Sequence, residues 1–151
     1  MRIILTIVLV MFSTPSWACS CKVLSLADEY ADSAAVFKAI VVAAEEFPDA
    51  DSPRFWRTRL KVQSVWKSDR RDLDTIFVAY EAGSCGTYLT PGVEYILFAS
   101  DGTTPGRLET HVCARSIPTK PPAVCSDVYR DCEKHKKLID ELTTFLETKS
   151  P

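Results

Sequence analysis

Six cysteines in 151 residues, at positions 19, 21, 85, 113, 125 and 132, constrain this chain more than any other feature. What they do depends on the redox compartment, and the first residues speak to that. Arg2 is followed by the uncharged run Ile3–Phe12, then Ser13, Thr14 and Pro15. The stretch closes on Ser16-Trp17-Ala18, with small residues three and one before a cut after Ala18. A charged start, an apolar run and small residues at the cut are the layout of a secretory signal peptide. As a helix the apolar run rises about 15 Å, half the hydrocarbon thickness, which is too short for a spanning anchor. The expectation is a leader at residues 1–18, cleavage between Ala18 and Cys19, and a secreted or periplasmic product. A cysteine at the new terminus also admits acylation, although Ser16 and Trp17 depart from what that pathway favours. Only lipidation of Cys19 would bring a membrane into the picture.

Export makes disulfides the default state of the cysteines. Cys19 and Cys21 have one residue between them and would close a strained ring, so both should reach distant partners. The rival is a zinc site from Cys19, Cys21, His111 and Cys113, which an oxidising compartment disfavours.

Ser25-Leu26-Ala27-Asp28 reads as a capped helix start, with the helix running to about Asp32. Ala35–Ala44 is an apolar run read as a buried strand, and Phe47–Pro53 as a loop. Phe55–Trp66 alternates, with Trp56, Thr58, Leu60 and Val62 on one face and Arg57, Arg59, Lys61 and Gln63 on the other. That is a half-buried strand whose cationic face reads as solvated surface. Thr75–Tyr80, Val93–Ser100 and Arg107–Val112 complete five strands, the last two joined through the Gly/Pro loop Asp101–Gly106. After Pro118–Pro122 the period becomes 3.6, through Val128, Cys132, His135, Leu138, Ile139, Leu142 and Phe145, with Ser126 as N-cap. The expected fold is mainly β: a five-stranded, OB-type β-barrel with a short N-terminal helix and an amphipathic C-terminal helix, stapled by disulfides. Residues 19–118 form the barrel domain, and 119–151 a linker and the helix packed on it.

Catalysis finds little to work with. There are two histidines, and His135 sits among helix charges as a solvated side chain. No phosphate loop or serine-nucleophile motif is present, and Glu45, Glu46, Asp49 and Asp51 read as a solvated cluster. The expectation is a protein without enzymatic activity and without a cofactor. A net charge of −2 argues against nucleic acid as partner. So does a cationic strand face without interleaved aromatics. The unusual feature is the mature terminus. A bridge at residue one would fix the α-amino group and first carbonyl to the barrel, and those two atoms form a five-membered chelate with a metal ion. The amine has a reference pKa of about 8, so it can lose its proton near neutral pH and coordinate. Such a terminus suits the open zinc position of another protein's active site.

Cys19-Ser20-Cys21 after the leader, Ala35-Val36-Phe37-Lys38-Ala39, Ser84-Cys85-Gly86, Gly92–Ala99 and Cys113 at a strand end together resemble the tissue inhibitors of metalloproteinases. The resemblance is to their inhibitory N-terminal, netrin-like domain and covers Cys19–Pro118. It implies the pairs Cys19–Cys85 and Cys21–Cys113. It implies that the Cys19 amine and carbonyl chelate the zinc of a target metalloprotease. Ser20 would enter the S1′ pocket, Cys21 and Lys22 would follow along the cleft, and Gly83-Ser84 would pack beside them. The family's third barrel bridge has no counterpart here, which leaves Cys125 and Cys132 to pair with each other or stay free; the local pair Cys125–Cys132 is the expectation. The family's second domain is replaced by one helix. The expected function is that of a secreted, monomeric metalloprotease inhibitor. The alternative is a netrin-like binding or structural module that inhibits nothing.

Overall fold

The computed structural model describes residues 21–22, 24–47, 54–80, 88–102, 104–120 and 131–149. In chain order these form helix α1 (Leu26–Asp32), strands β1 (Ala35–Phe47), β2 (Arg54–Ser68), β3 (Thr75–Tyr80), β4 (Glu94–Asp101), β5 (Leu108–Thr110) and β6 (Ser116–Pro118), and helix α2 (Asp131–Glu147). The sheet runs β1-β2-β3-β5-β4-β6, and β1 also pairs with β4. That last ladder, from Ala35↔Ala99 to Ile40↔Glu94, closes the first five strands into a barrel. All pairings are antiparallel except β3–β5, which is parallel. Closure in this order is the OB-type topology, and it removes the edges that an open sheet would expose.

The alternation in β2 does what its period requires. Thr58 and Leu60 are buried in the barrel, whereas Arg57, Arg59 and Lys61 are exposed outside it. The interior holds Phe37, Ala39, Val41, Leu60, Ile76, Val78, Leu97 and Leu108. A second cluster lies outside the barrel wall, where Leu142 and Leu146 of α2 pack on Val36, Ile96, Phe98 and Ile117. Two Thr-Pro-Gly turns connect strands. Gly92 and Gly106 both take positive φ, 82° and 84°, and each turn is closed by a bond to the threonine carbonyl two residues before its glycine. That sign of φ costs a residue with a Cβ and costs glycine nothing.

Four expectations need correction. β1 runs on to Phe47 rather than ending at Ala44, because Glu45, Glu46 and Phe47 pair with Arg57, Trp56 and Phe55. The last predicted strand, Arg107–Val112, is only Leu108–Thr110. There the chain swings out and returns as the short strand β6, which pairs with β4 and which no pattern announced. On α2, Leu138 is exposed while Leu146, outside the predicted stripe, is fully buried. His135 is half-buried, with Nε2 shielded from solvent and without a hydrogen bond to any described residue. The Ser126 cap lies outside the described residues.

Arg70 fastens the β2–β3 turn to the far end of β4. It bonds Asp72 at 3.3 Å, Asp101 at 3.2 Å and the Gly106 carbonyl. Its guanidinium holds the Asp72 carboxyl below the usual carboxylate range, chiefly by donating to it. Thr58, by contrast, is fully buried and its hydroxyl has no hydrogen-bond partner among the described residues. An unpartnered buried hydroxyl costs about 1–3 kcal/mol. Thr58→Val, close in shape and without the hydroxyl, is therefore expected to raise the melting temperature by a few degrees. Calorimetry of the two proteins side by side checks it.

Candidate functional site: the edge at Cys21 and Cys113

The described chain begins at a bridge. Cys21 is bonded to Cys113, 92 residues away, with Cα atoms 5.3 Å apart. Cys113 stands on the excursion 111–115 between β5 and β6, both of which lie along β4. The excursion is pinned at each step. Ala114 N–H donates to the His111 carbonyl at 2.9 Å, Cys113 N–H to His111 Nδ1 at 3.1 Å, and Phe98 N–H to the Arg115 carbonyl at 2.9 Å. The N-terminal segment is thus tied to a rigid rim of the barrel rather than to a free loop.

Helix α1 supplies the second tie. Ser25 caps it, accepting from Asp28 N–H at 3.2 Å, which satisfies one of the first-turn donors. At its other end Lys67 donates to the carbonyls of Tyr30 and Ala31 at 2.8 and 2.7 Å, a cation placed where the helix exposes carbonyls. So held, the helix presents Glu29 to the excursion. Glu29 accepts from Arg115 N–H at 2.8 Å and from Arg115 Nε at 2.7 Å, and its side chain is 12% exposed. Charge-assisted bonds at this degree of burial contribute about 1.5–3 kcal/mol. Glu29→Gln should lower the melting temperature by roughly 5–10 °C, since the amide can serve only one of the two donors well. Thermal unfolding of the oxidised protein measures this with the Cys21–Cys113 bridge intact.

Two hollows flank the bridge, of about 220 and 250 Å³. Lys22, Leu24, Glu29, Cys113 and Ala114 line both; Val112 opens on the first and His111 on the second. Val112 is 41% exposed, an apolar side chain at the rim. The edge therefore offers shallow relief beside the exposed residues Cys21 and Lys22. It suits docking against another surface better than enclosing a small molecule.

Of the residues expected from sequence, Cys21, Lys22 and Cys113 are brought together. Cys19, Ser20, Gly83, Ser84, Cys85 and Cys125 lie outside the described residues. Cys132, on the first turn of α2, is disulfide-bonded to a cysteine outside them. Because β3 and β5 run parallel, with Phe77↔Glu109 and Val78↔Thr110, the chain leaves both strands at the same end. The bridge also consumes two of the thiols in the rival zinc set of Cys19, Cys21, His111 and Cys113. Glu29, Arg115, Leu24 and Val112 were not expected at this edge. The Ser25 cap foreshadowed the helix, but nothing local links Glu29 to an arginine 86 residues away.

No protein-family model and no curated protein sequence matches this chain.

Proposed function

We propose that this chain is an exported inhibitor of a zinc metalloprotease, acting through the amine and carbonyl of Cys19 once the leader is removed. The observation that carries the reading is the Cys21–Cys113 bridge, which is the pair that the resemblance to the tissue inhibitors of metalloproteinases implies. A chelating terminus must be held still, since any freedom lost on binding subtracts from affinity. Cys21 is fixed two residues from the proposed chelator, and Glu29, through Arg115, braces the excursion that carries Cys113. Ser20 would then enter S1′, with Lys22 exposed along the cleft and Gly83-Ser84 completing the edge. The partner protease supplies the zinc, through the position that catalytic sites leave open for water or substrate.

The test begins with processing. The full-length precursor is expressed in an exporting host, and the product is characterised by intact mass and N-terminal sequencing. It is then titrated against a panel of zinc metalloproteases. The reading requires a free Cys19 amine and inhibition of at least one panel member. An acylated Cys19 would select an envelope anchor instead. An unmodified terminus that inhibits none would select a non-inhibitory netrin-like module.

A further inference from the structure

The barrel wall opposite α2 carries an arrangement that the edge at Cys21 does not use. Register places Glu45, Arg57, Phe77 and Glu109 in one row across β1, β2, β3 and β5. Arg59 and Lys61 continue the exposed face of β2. Phe47, at the end of β1, meets Phe77 edge-on with centroids 5.5 Å apart. The Arg107 guanidinium lies 5.0 Å from the Phe47 centroid and 4.8 Å from that of Phe77, and Arg57 lies 5.6 Å from Phe47. The sequence had offered a cationic strand without aromatics. Pairing supplies the aromatics from β1 and β3. This wall faces solvent: the side chains of Arg57 and Arg59 are 45% and 60% exposed.

From this geometry we infer that the outer β2–β3 face is a binding surface for an acidic polysaccharide, with Arg57, Arg59 and Lys61 meeting its acid groups and Arg107 stacked on the phenylalanines as its floor. Alternate residues of a strand are about 7 Å apart, so the three cations form a straight row suited to an extended polyanion. Guanidinium groups pair with carboxylates and sulfates through two parallel bonds. Barrels of this topology that bind oligosaccharides or oligonucleotides use this face and its flanking loops, which is an analogy of fold. Bases need open ring faces to stack on. Here guanidinium groups already lie against Phe47 and Phe77, which favours sugars over a single-stranded nucleic acid. Glu45 acts as an internal competitor, accepting from Arg57 at 3.0 Å and lying 3.9 Å from Arg59.

The test uses heparin as the probe, with neutral dextran and oligo-dT as comparisons, at low and at physiological salt. Wild type is expected to bind heparin, to ignore dextran and to prefer heparin over oligo-dT. Arg57→Ala with Arg59→Ala should weaken heparin binding at least tenfold while leaving the melting temperature within a few degrees. Glu45→Gln should strengthen it severalfold by releasing both arginines, an effect that misfolding cannot mimic. Lys136→Ala with Lys137→Ala, on α2, removes equal charge and should leave binding unchanged. The inference fails if wild type does not bind heparin, if the α2 pair weakens binding as much as the β2 pair, or if Glu45→Gln has no effect. Tighter binding to oligo-dT than to heparin would overturn it in favour of a nucleic-acid surface. Its outcome is independent of any protease.

Discussion

Replacing Cys21 and Cys113 together by Ser is expected to lower the melting temperature by roughly 15–20 °C under oxidising conditions. The bridge closes a loop of 92 residues. In the chain-entropy model such a closure removes about 4–5 kcal/mol of disorder from the unfolded chain. For a domain of this size each kcal/mol moves the midpoint by about 3–5 °C. The loss is a large part of the whole stability of a small domain, about 5–15 kcal/mol. The double variant is the right one because a single replacement leaves a thiol free to form other pairs. Circular dichroism melts of wild type and variant measure the difference. The oxidised wild type treated with reductant should melt no higher than the variant, since reduction also opens the bridge at Cys132. A fall of only a few degrees would show that residual structure already keeps residues 21 and 113 close in the unfolded ensemble.

The barrel was legible in the sequence where one residue's environment follows from its neighbours along the strand. Trp56, Thr58, Leu60 and Val62 alternate with Arg57, Arg59, Lys61 and Gln63, and a period of two allows only one inward face. The capped start of α1 was equally local, since Ser25 and Asp28 satisfy each other within one turn. What could not be read was set by pairing. Nothing near Glu45-Glu46-Phe47 announces a strand; those residues are extended because Arg57, Trp56 and Phe55 lie across from them. Ser116–Pro118 is too short to show a period, and exists because β4 has a free side there. The same limit applied to chemistry. Cys-Ser-Cys was conspicuous in the sequence, whereas the Glu29–Arg115 brace and the Phe47–Arg107–Phe77 stack unite residues far apart along the chain. His135 is likewise not solvated as its charged helix neighbours suggest, because packing decides what covers Nε2.

The second large effect concerns a single added residue. An Ala placed before Cys19, after the leader cut, converts the proposed chelating amine into an amide, which is a poor zinc ligand. The addition lies outside every bridge, so the barrel should melt as wild type does. Inhibition should fall by about a thousandfold, equivalent to about 4 kcal/mol at 1.4 kcal/mol per tenfold. Ser20→Arg should act differently. It alters the fit to one pocket while sparing the ligand, so its effect should vary from protease to protease. The decisive measurement is the inhibition constant of the Ala-extended protein, with its mass and melting curve verified, against a metalloprotease that the wild type inhibits. A loss of orders of magnitude with unchanged melting is the result that chelation through Cys19 predicts. Equal inhibition by the extended, folded protein would contradict it.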